Sequence, residues 1–321
     1  MKRQRGAALL LAMLTVTLVA TIAAAATWQQ WQAVETERAE RQRAQAAWIL
    51  NGALDWARLI LREDARGNQT SGNADHLGEP WALPLAEARL SSFLAADRDN
   101  NADNVLQAFL SGEMLDQQSR LNLFNLVRVE GTGNSAQVSV SEPDLLAARR
   151  LYELLGLPAA ELTQAVNTWR DTVSRGLAEA QPTATPLIPR RFGELSWLGI
   201  SARSLQVLAP HATLLPERTP VNLNTAGLEV LQAVLPGVDA ARARQLMSMR
   251  ERSPFKNLGD VSRALGDSAP RLVETQHDVR SRYFEVRGRL RLDDVVIEER
   301  SLVVRDNLTV RVAWRERLAR P

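Results

Sequence analysis

The chain has 321 residues, 45% of them hydrophobic and 24% charged, with a formal net charge of +2, so it has room for a sizeable core and for two or three domains. It has no cysteine, which removes disulfides and thiolate chemistry, and its three histidines (His76, His211, His277) do not stand at metal-ligand spacing. HExxH, GxSxG and Walker A patterns are absent, no nucleophile–base pair can be nominated, and near-neutrality removes the bulk electrostatic case for nucleic acid.

The chain begins with a short basic stretch holding Lys2, Arg3 and Arg5, followed by twenty uncharged residues from Ala7 to Ala26. A helix of that length spans roughly 30 Å, the thickness of a bilayer's hydrocarbon core. The three cations on one side keep the N-terminus cytoplasmic, so everything from Thr27 onward is expected outside. Trp28 and Trp31 follow where indole rings favour the far interface. The competing reading is a cleaved secretory signal, for which Ala23 to Ala26 offers an A-x-A site.

Thr27 to about Arg66 contains no proline and reads as one long helix. Glu37 and Arg41 stand at i,i+4 for an ion pair on a solvated stretch. Ile49, Ala53, Trp56 and Ile60, with Leu50, Leu54, Ala57 and Leu61, form a broad apolar stripe, and Asn51, Asp55, Arg58 and Arg62 fall opposite. Gly67 to Asp75 reads as a loop. Trp81, at the end of an Asp75-His-Leu-Gly-Glu-Pro-Trp segment, is expected to pack that connection onto the helix. Asp97, Asp99, Asn101 and Asp103 set oxygen side chains at alternate positions, the spacing of a calcium loop, but Ala102 and Ala108 stand where such a loop carries Gly and Glu. A solvated polar turn is the plainer reading, with calcium as a minor hypothesis. Leu110 to Leu126 has the propensity of a weak hairpin. Gly131 to Ser135 is a turn, and Val138 and Val140 mark a short edge strand.

Helices then dominate. Pro143 to Leu155 has Ser141 or Glu142 as its cap and Gly156 at its end. Pro158 to about Glu179 carries Leu162, Val166, Trp169 and Val173 on one face. Gln181 to Pro189 is a proline-rich connector. Val221-Asn-Leu-Asn-Thr-Ala226 precedes a helix capped by Thr225 and running through Leu235. Pro236-Gly237-Val238 turns into a second helix from Asp239 to Arg252, followed by a segment from Asp260 to Leu265. This unit resembles a helix-hairpin-helix. In DNA-binding members the turn reads Gly-hydrophobic-Gly so that backbone N–H groups reach phosphate. Here Asp239 holds the second Gly position, with Arg242, Arg244 and Arg250 nearby, so a packing or protein-contact unit is expected over nucleic-acid binding. In the last fifty residues Phe284, Val286, Gly288, Leu290 and Leu292 alternate with Glu285, Arg287, Arg289 and Arg291, a half-exposed strand. Asp293-Asp294 and Asp306-Asn307 turn two further strands into an antiparallel meander. Its arginines read as a solvent face rather than an anion-binding stripe.

The six-residue leader ending in Gly6 resembles a type IV prepilin signal, which implies cleavage between Gly6 and Ala7 by a prepilin peptidase and methylation of the new N-terminus. The family usually has Glu at the fifth mature position, which here is Leu11. Loss of that carboxylate is typical of the K-type minor pseudopilins of type II secretion. The Asp75–Trp81 and Leu110–Leu126 segments, the VNLNTA motif, the helical block and the terminal meander resemble the same family in the same order. The resemblance implies an α+β, pilin-like fold: a long transmembrane helix packed on an antiparallel sheet, with a large all-α insertion. Its parts are leader 1–6, membrane segment 7–26, pilin-like helix and first strands 27–142, sterile-alpha-motif-like helical units 143–204 and 205–278, and final strands 279–321. It further implies a single-pass bacterial inner-membrane protein with a periplasmic C-terminal part, at the pseudopilus tip with I- and J-type minor pseudopilins. Other pseudopilins, the secretin and exported proteins are further expected contacts, and no cofactor, enzymatic step or nucleic acid is implied. Family members often bind calcium through acidic residues near the connector. This chain offers little there beyond Asp171 and Glu179, and that site is not carried over. The rival from another class is a membrane-anchored periplasmic DNA-binding protein built on the helix-hairpin-helix.

Overall fold

The computed structural model describes residues 4–71, 74–90, 108–131, 136–178, 187–266, 269–292 and 295–318. Of the turns and connectors expected above, residues 72–73, 132–135, 179–186 and 293–294 lie outside the described residues. Helix α1 runs unbroken from Gln4 to Ser71, 68 residues and so about 100 Å. In its apolar part, Thr15, Thr17 and Thr21 return their hydroxyls to the carbonyls of Ala12, Leu14 and Leu18 at 2.9 to 3.0 Å. That bonding leaves none of these hydroxyl donors unpaired in a hydrocarbon environment. The helix passes the expected end near Arg66 because a tertiary contact overrides the weak propensity of Gly67-Asn68. The Asn68 amide donates to Glu79 Oε1 at 3.1 Å.

The outer third of α1 lies across a five-stranded antiparallel sheet. Its strands are β1 (Leu85–Arg89), β2 (Ala108–Asp116), β9 (Tyr283–Leu292), β10 (Val295–Asp306) and β11 (Thr309–Leu318), and they stand side by side in that order. Leu50 and Ala46 pack on Ala108, Leu110, Leu290, Leu292 and Ile297. Further along the helix, Leu54 and Leu61 meet Trp81, Phe284, Val303 and Val310. Trp81 is enclosed against the edge of Phe284, ring centroids 5.0 Å apart, as the sequence indicates. Trp56 is the exception in the expected stripe: it is 64% exposed, because at 100° per residue it falls well off the line through Leu50, Leu54 and Leu61. Asn51 and Arg58, expected on the solvent side, reach the sheet edge instead. Arg58 donates to Val310 O at 2.9 and 3.1 Å, and Asn51 accepts from Arg315.

Helix and sheet approach closely at a glycine pair. Gly112 and Gly288 are cross-strand neighbours; a Cβ on Gly288 would stand 3.2 Å from Leu50 Cδ2, and one on Gly112 only 2.8 Å from the Arg287 carbonyl oxygen. β2, read from propensity as half of a weak hairpin, is thus a central strand. Its neighbour β9 is far away in sequence, a pairing no local pattern encodes.

Between β2 and β9 the chain builds a helical block. It contains β3 (Leu121–Asn122), β4 (Val127–Glu130), β5 (Gln137–Val140), α2 (Glu142–Leu154), α3 (Ala159–Ala178), α4 (Ala202–Leu208) and β6 (Ala212–Thr213). It continues through β7 (Val221–Asn222), α5 (Leu228–Val234), α6 (Ala240–Arg252), α7 (Leu258–Leu265) and β8 (His277–Asp278). β4 and β5 pair as an antiparallel hairpin, while β3–β6 and β7–β8 are two-residue parallel bridges. One apolar core runs through the block, from Leu121, Leu123 and Leu126 through Leu151, Trp169 and Leu208 to Leu231, Leu246 and Val261. Pro143 opens α2, and Gly156, with φ +65°, follows its end. Thr225 does not cap a helix: α5 begins at Leu228 behind Gly227, and the Thr225 hydroxyl donates to the Asp116 carboxylate. Asp239 does cap α6, accepting from Arg242 N at 2.8 Å.

Gly112→Ala should destabilise the protein by about 1–3 kcal/mol, because the new methyl meets backbone that cannot rotate away. Urea unfolding of the detergent-solubilised chain, followed by circular dichroism, measures it.

Candidate functional site

Three features of the architecture have functional content: the bare half of α1, the buried polar node where α1, sheet and helical block meet, and the charged outer face of the sheet. Every residue from Ala7 to Arg38 is exposed. Leu9, Leu10, Leu11, Met13, Leu14, Val16, Val19 and Ile22 are all at least 60% exposed. A single helix of this length and apolarity, with its window of high hydropathy fully uncovered, is suited to lipid. Leu11 lies within it, a purely apolar side chain. Trp28 and Trp31 meet with ring centroids 5.3 Å apart just beyond the uncharged run, in the position of an interfacial anchor.

The node is centred on Arg305 of β10, which is 7% exposed. Its guanidinium donates to Asp64 of α1 at 2.8 Å, to Asp75, and to the Ser281 carbonyl at 2.8 Å, and it lies over the Phe284 ring at 5.0 Å. Asp75 also accepts from Ser281 N at 2.7 Å. One layer further in, Asp116 at the end of β2 is fully enclosed. It accepts from Ser281 Oγ at 2.6 Å, Thr225 Oγ1 at 2.5 Å, Asn222 Nδ2 at 3.1 Å and Gln118 N at 2.7 Å. Glu79 closes the other side, accepting from Trp81 Nε1 at 2.6 Å and His76 N at 3.0 Å.

The asparagines of the Leu110–Leu126 segment and of the VNLNTA motif serve the same junction. Asn122 donates to Glu217 O and Thr219 Oγ1 and accepts from Leu215 N; Asn125 bonds both main-chain groups of Thr219. Asn222 spans Asp75 O, Asp116 and Ser281, and Asn224 bonds both main-chain groups of Phe255. Each of these four asparagine amides finds partners for its polar atoms, which is what makes an enclosed Asn tolerable. The intervening leucines, Leu121, Leu123 and Leu223, fill the core.

Asp64, Asp75 and Glu79 hold carboxylate oxygens within 4.8 Å of one another, and Arg305 supplies cationic charge among them. Burial, reinforced by Glu79, pushes Asp64 up to about 7. Burial likewise raises Asp116 to about 6 despite its hydrogen bonds, and raises Glu79. Reading the sequence singles out none of these carboxylates. The one available signal is the concentration of oxygen-rich residues around the connecting loop.

Of the other described candidates named from the sequence, His76 borders this node through Glu79, and the rest lie apart from it. Asp97, Asp99, Asn101 and Asp103 lie outside the described residues. His277 is buried with its ring nitrogens against Val273 and Val234 carbonyls, and His76 and His211 sit beside Glu79 and Glu229 at 3.8 and 3.7 Å; each histidine has its own surroundings. Arg250 turns inward to Leu223 O at 2.6 Å, and the Asp239 carboxylate occupies the N-terminus of α6, where a phosphate would dock. On the sheet, Arg287 pairs with Glu285 at 2.6 Å and Glu113 at 3.1 Å. Arg289 pairs with Glu298 at 3.4 Å and Arg291 with Glu87 at 2.9 Å. The face is self-neutralised, in pairs that are weak where both partners are open to solvent and firmer at the buried Glu285.

Residues 221–280 match the family model described as type II secretion system protein K, a stretch that spans the β7–β8 bridge and the helices between its strands. The chain is 27% identical over 308 residues to the type II secretion system protein K of Pseudomonas aeruginosa, covering 91% of this chain and 86% of that one. It is 27% identical over 337 residues to the protein of the same description from Pectobacterium carotovorum, covering 98% and 96%. A chain from the crystal structure of the GspK–GspI–GspJ complex of enterotoxigenic Escherichia coli has the same fold. It superposes with a TM-score of 0.66 at 19% identity, over 88% of this chain and 99% of that one.

The raised carboxylates fix a pH dependence. A carboxyl whose folded pKa exceeds its unfolded value contributes stability that is fully present below about 4 and lost as pH rises through the folded value, here about 7 for Asp64. Asp64→Asn removes that titration while keeping an acceptor for Arg305. Relative to the unchanged chain, this variant should therefore gain on the order of 1 kcal/mol between pH 5.5 and pH 8, read as the difference between their urea midpoints.

Proposed function

We propose that this chain, which belongs to the type II secretion system protein K family, is the minor pseudopilin that caps the tip of the pseudopilus, helps start its assembly and supports export of folded proteins. The observation that carries the reading is α1. One uninterrupted helix is bare and uncharged over a bilayer's thickness and then becomes the spine of a folded head. A helix of that kind anchors the subunit before assembly and enters a helical bundle afterwards, without refolding.

Two further features support the tip. The helical block joins the head at the Arg305 node, next to Asp64 near the outer end of α1, so the added bulk sits at the end away from the membrane. Stacking another subunit above it in a shaft would have to clear that block. Leu11 supports it too: a subunit with no carboxylate at this depth has nothing to offer the N-terminal amine of a neighbour, and a terminal subunit needs nothing. The proposed processing is cleavage between Gly6 and Ala7 with methylation of Ala7. In this reading residues 7–26 lie in the inner membrane and the head lies in the periplasm. The partners are the I- and J-type minor pseudopilins, followed by the other pseudopilins, the secretin and the exported proteins. The role contains no chemical step.

Intact mass and N-terminal sequence of membrane-extracted protein, made with its own prepilin peptidase, test this directly. The expected result is a chain starting at Ala7 with about 14 Da added, one methyl group. A start near Ala26 or Thr27 would release the head as an ordinary secreted domain and sink the proposal.

A further inference from the structure

The hairpin of the helical block has a strand edge that the folded chain does not use. Among the described residues, β5 pairs with β4 and with no other strand. Ser141 N donates to Leu126 O at 2.9 Å, which continues the antiparallel ladder and fixes its phase. Gln137 and Ser139 therefore bond toward β4, while Val138 and Val140 turn their N–H and C=O groups outward. No described residue bonds those outward groups. Proteins usually blunt such an edge with a lysine, a proline or a bulge. Here residues 131–141 carry neither charge nor proline, and the register of β5 on β4 is unbroken.

A hollow of about 470 Å³ opens along this edge, bounded by one face of α2 and one face of α3. Its floor is apolar, made by Val138 and Val140 with Leu145 of α2 and Val166 of α3. One turn beyond those two core residues, Arg149 and Arg170 line the hollow. Arg149 has no ion pair or hydrogen bond among the described residues, and Arg170 meets only its exposed neighbour Asp171, at 2.8 Å. Two guanidiniums thus face one carboxylate in the lining, that of Glu142.

We propose that the β5 edge is a docking site for an extended, acidic peptide segment of a separate protein, which adds to the hairpin as a third strand. The incoming main chain bonds Val138 and Val140, its alternate apolar side chains enter the hollow, and a carboxylate meets Arg149 and Arg170. β5 is four residues long, so the ladder it offers is short and the side-chain contacts set the specificity. A second copy of β5 is a poor occupant, because residues 131–141 hold no carboxylate to present to Arg149. The site lies wholly on the helical block and stands independently of the processing and assembly proposed above.

The probe is a fluorescein-labelled synthetic peptide of alternating threonine and valine ending in two glutamates, titrated against the detergent-solubilised full-length chain and followed by anisotropy. Saturable binding is expected. Exchanging the glutamates for lysines should weaken it at least tenfold, and so should Arg149→Glu, with Arg149→Lys restoring most of the affinity. Arg244→Glu, at an exposed arginine of α6, should leave binding unchanged. N-methylation of the peptide backbone should abolish binding at one set of alternate residues and be tolerated at the other, as strand addition requires. Because these are changes to the peptide, they read the site without disturbing the fold. No saturation up to about 1 mM peptide, or equal effects of N-methylation at both sets, overturns the proposal. Dimerisation of the chain that the peptide reverses would seat a second copy on the edge and overturn it as well. Each of these outcomes leaves the assembly reading intact, which the N-terminal mass tests separately.

Discussion

Placing a guanidinium inside the molecule among three carboxylates is the constraint on which the architecture turns. Arg305 is buried, and a buried cation is tolerable only with its hydrogen-bonding capacity used and its charge matched. Asp64 comes from the anchor helix, Asp75 from the connection that follows it, and Ser281 from the segment re-entering the sheet. The guanidinium is satisfied only when α1, the connecting loop and β10 are all in place, so the pairing specifies one arrangement of stem and sheet rather than adding much net stability. Asp116, Asn222 and Thr225 extend the same network into the helical block, and the orientation of block on stem follows from it.

This explains how a sheet can tolerate an interruption of such length. β2 and β9 are paired along nine residues, so the chain leaves the sheet at Asp116 and returns at Ser281 and Arg282 at nearly the same point in space. The hydroxyl of Ser281 meets the carboxylate of Asp116 at 2.6 Å, closing the neck of the insertion. An insertion whose ends are already adjacent costs the host sheet little. It can therefore carry its own core, and the core of the block is separate from the two small clusters between α1 and the sheet.

The two faces of the sheet show opposite solutions to charge. Toward α1, Glu299 and Arg315 are paired under the helix and tied to Asn51, a specific bond at a fixed place. On the other face arginines and glutamates alternate across strands so that each cation is offered a carboxylate, and Arg291 and Arg191 also lie over Phe109 and Trp314 at 4.0 and 5.0 Å. Such a lattice keeps a broad sheet soluble without a net field.

What is legible in the sequence is whatever depends on neighbours along the chain. The uncharged run to Ala26, the long proline-free helix, the helix that starts around Asp239, the turn at Gly156 and the alternation from Phe284 to Leu292 are local patterns, most with a period of 3.6 or 2, and the structure has them. The resemblance carried by the order of motifs gives the fold class, because an insertion between pilin-like strands leaves its own signature on each side. Thr225 shows where this stops. As a residue type it suits a helix cap, but its hydroxyl goes to Asp116, 109 positions away, and the burial of that carboxylate decides the bond. Trp56 likewise belongs to an apolar stripe by composition, while the angle at which the sheet meets α1 leaves it outside. Periodicity names the residues able to be buried or bonded. Only the folded chain sets which distant groups compete for them, because leaving a buried group unpaired costs far more than local propensity can offset.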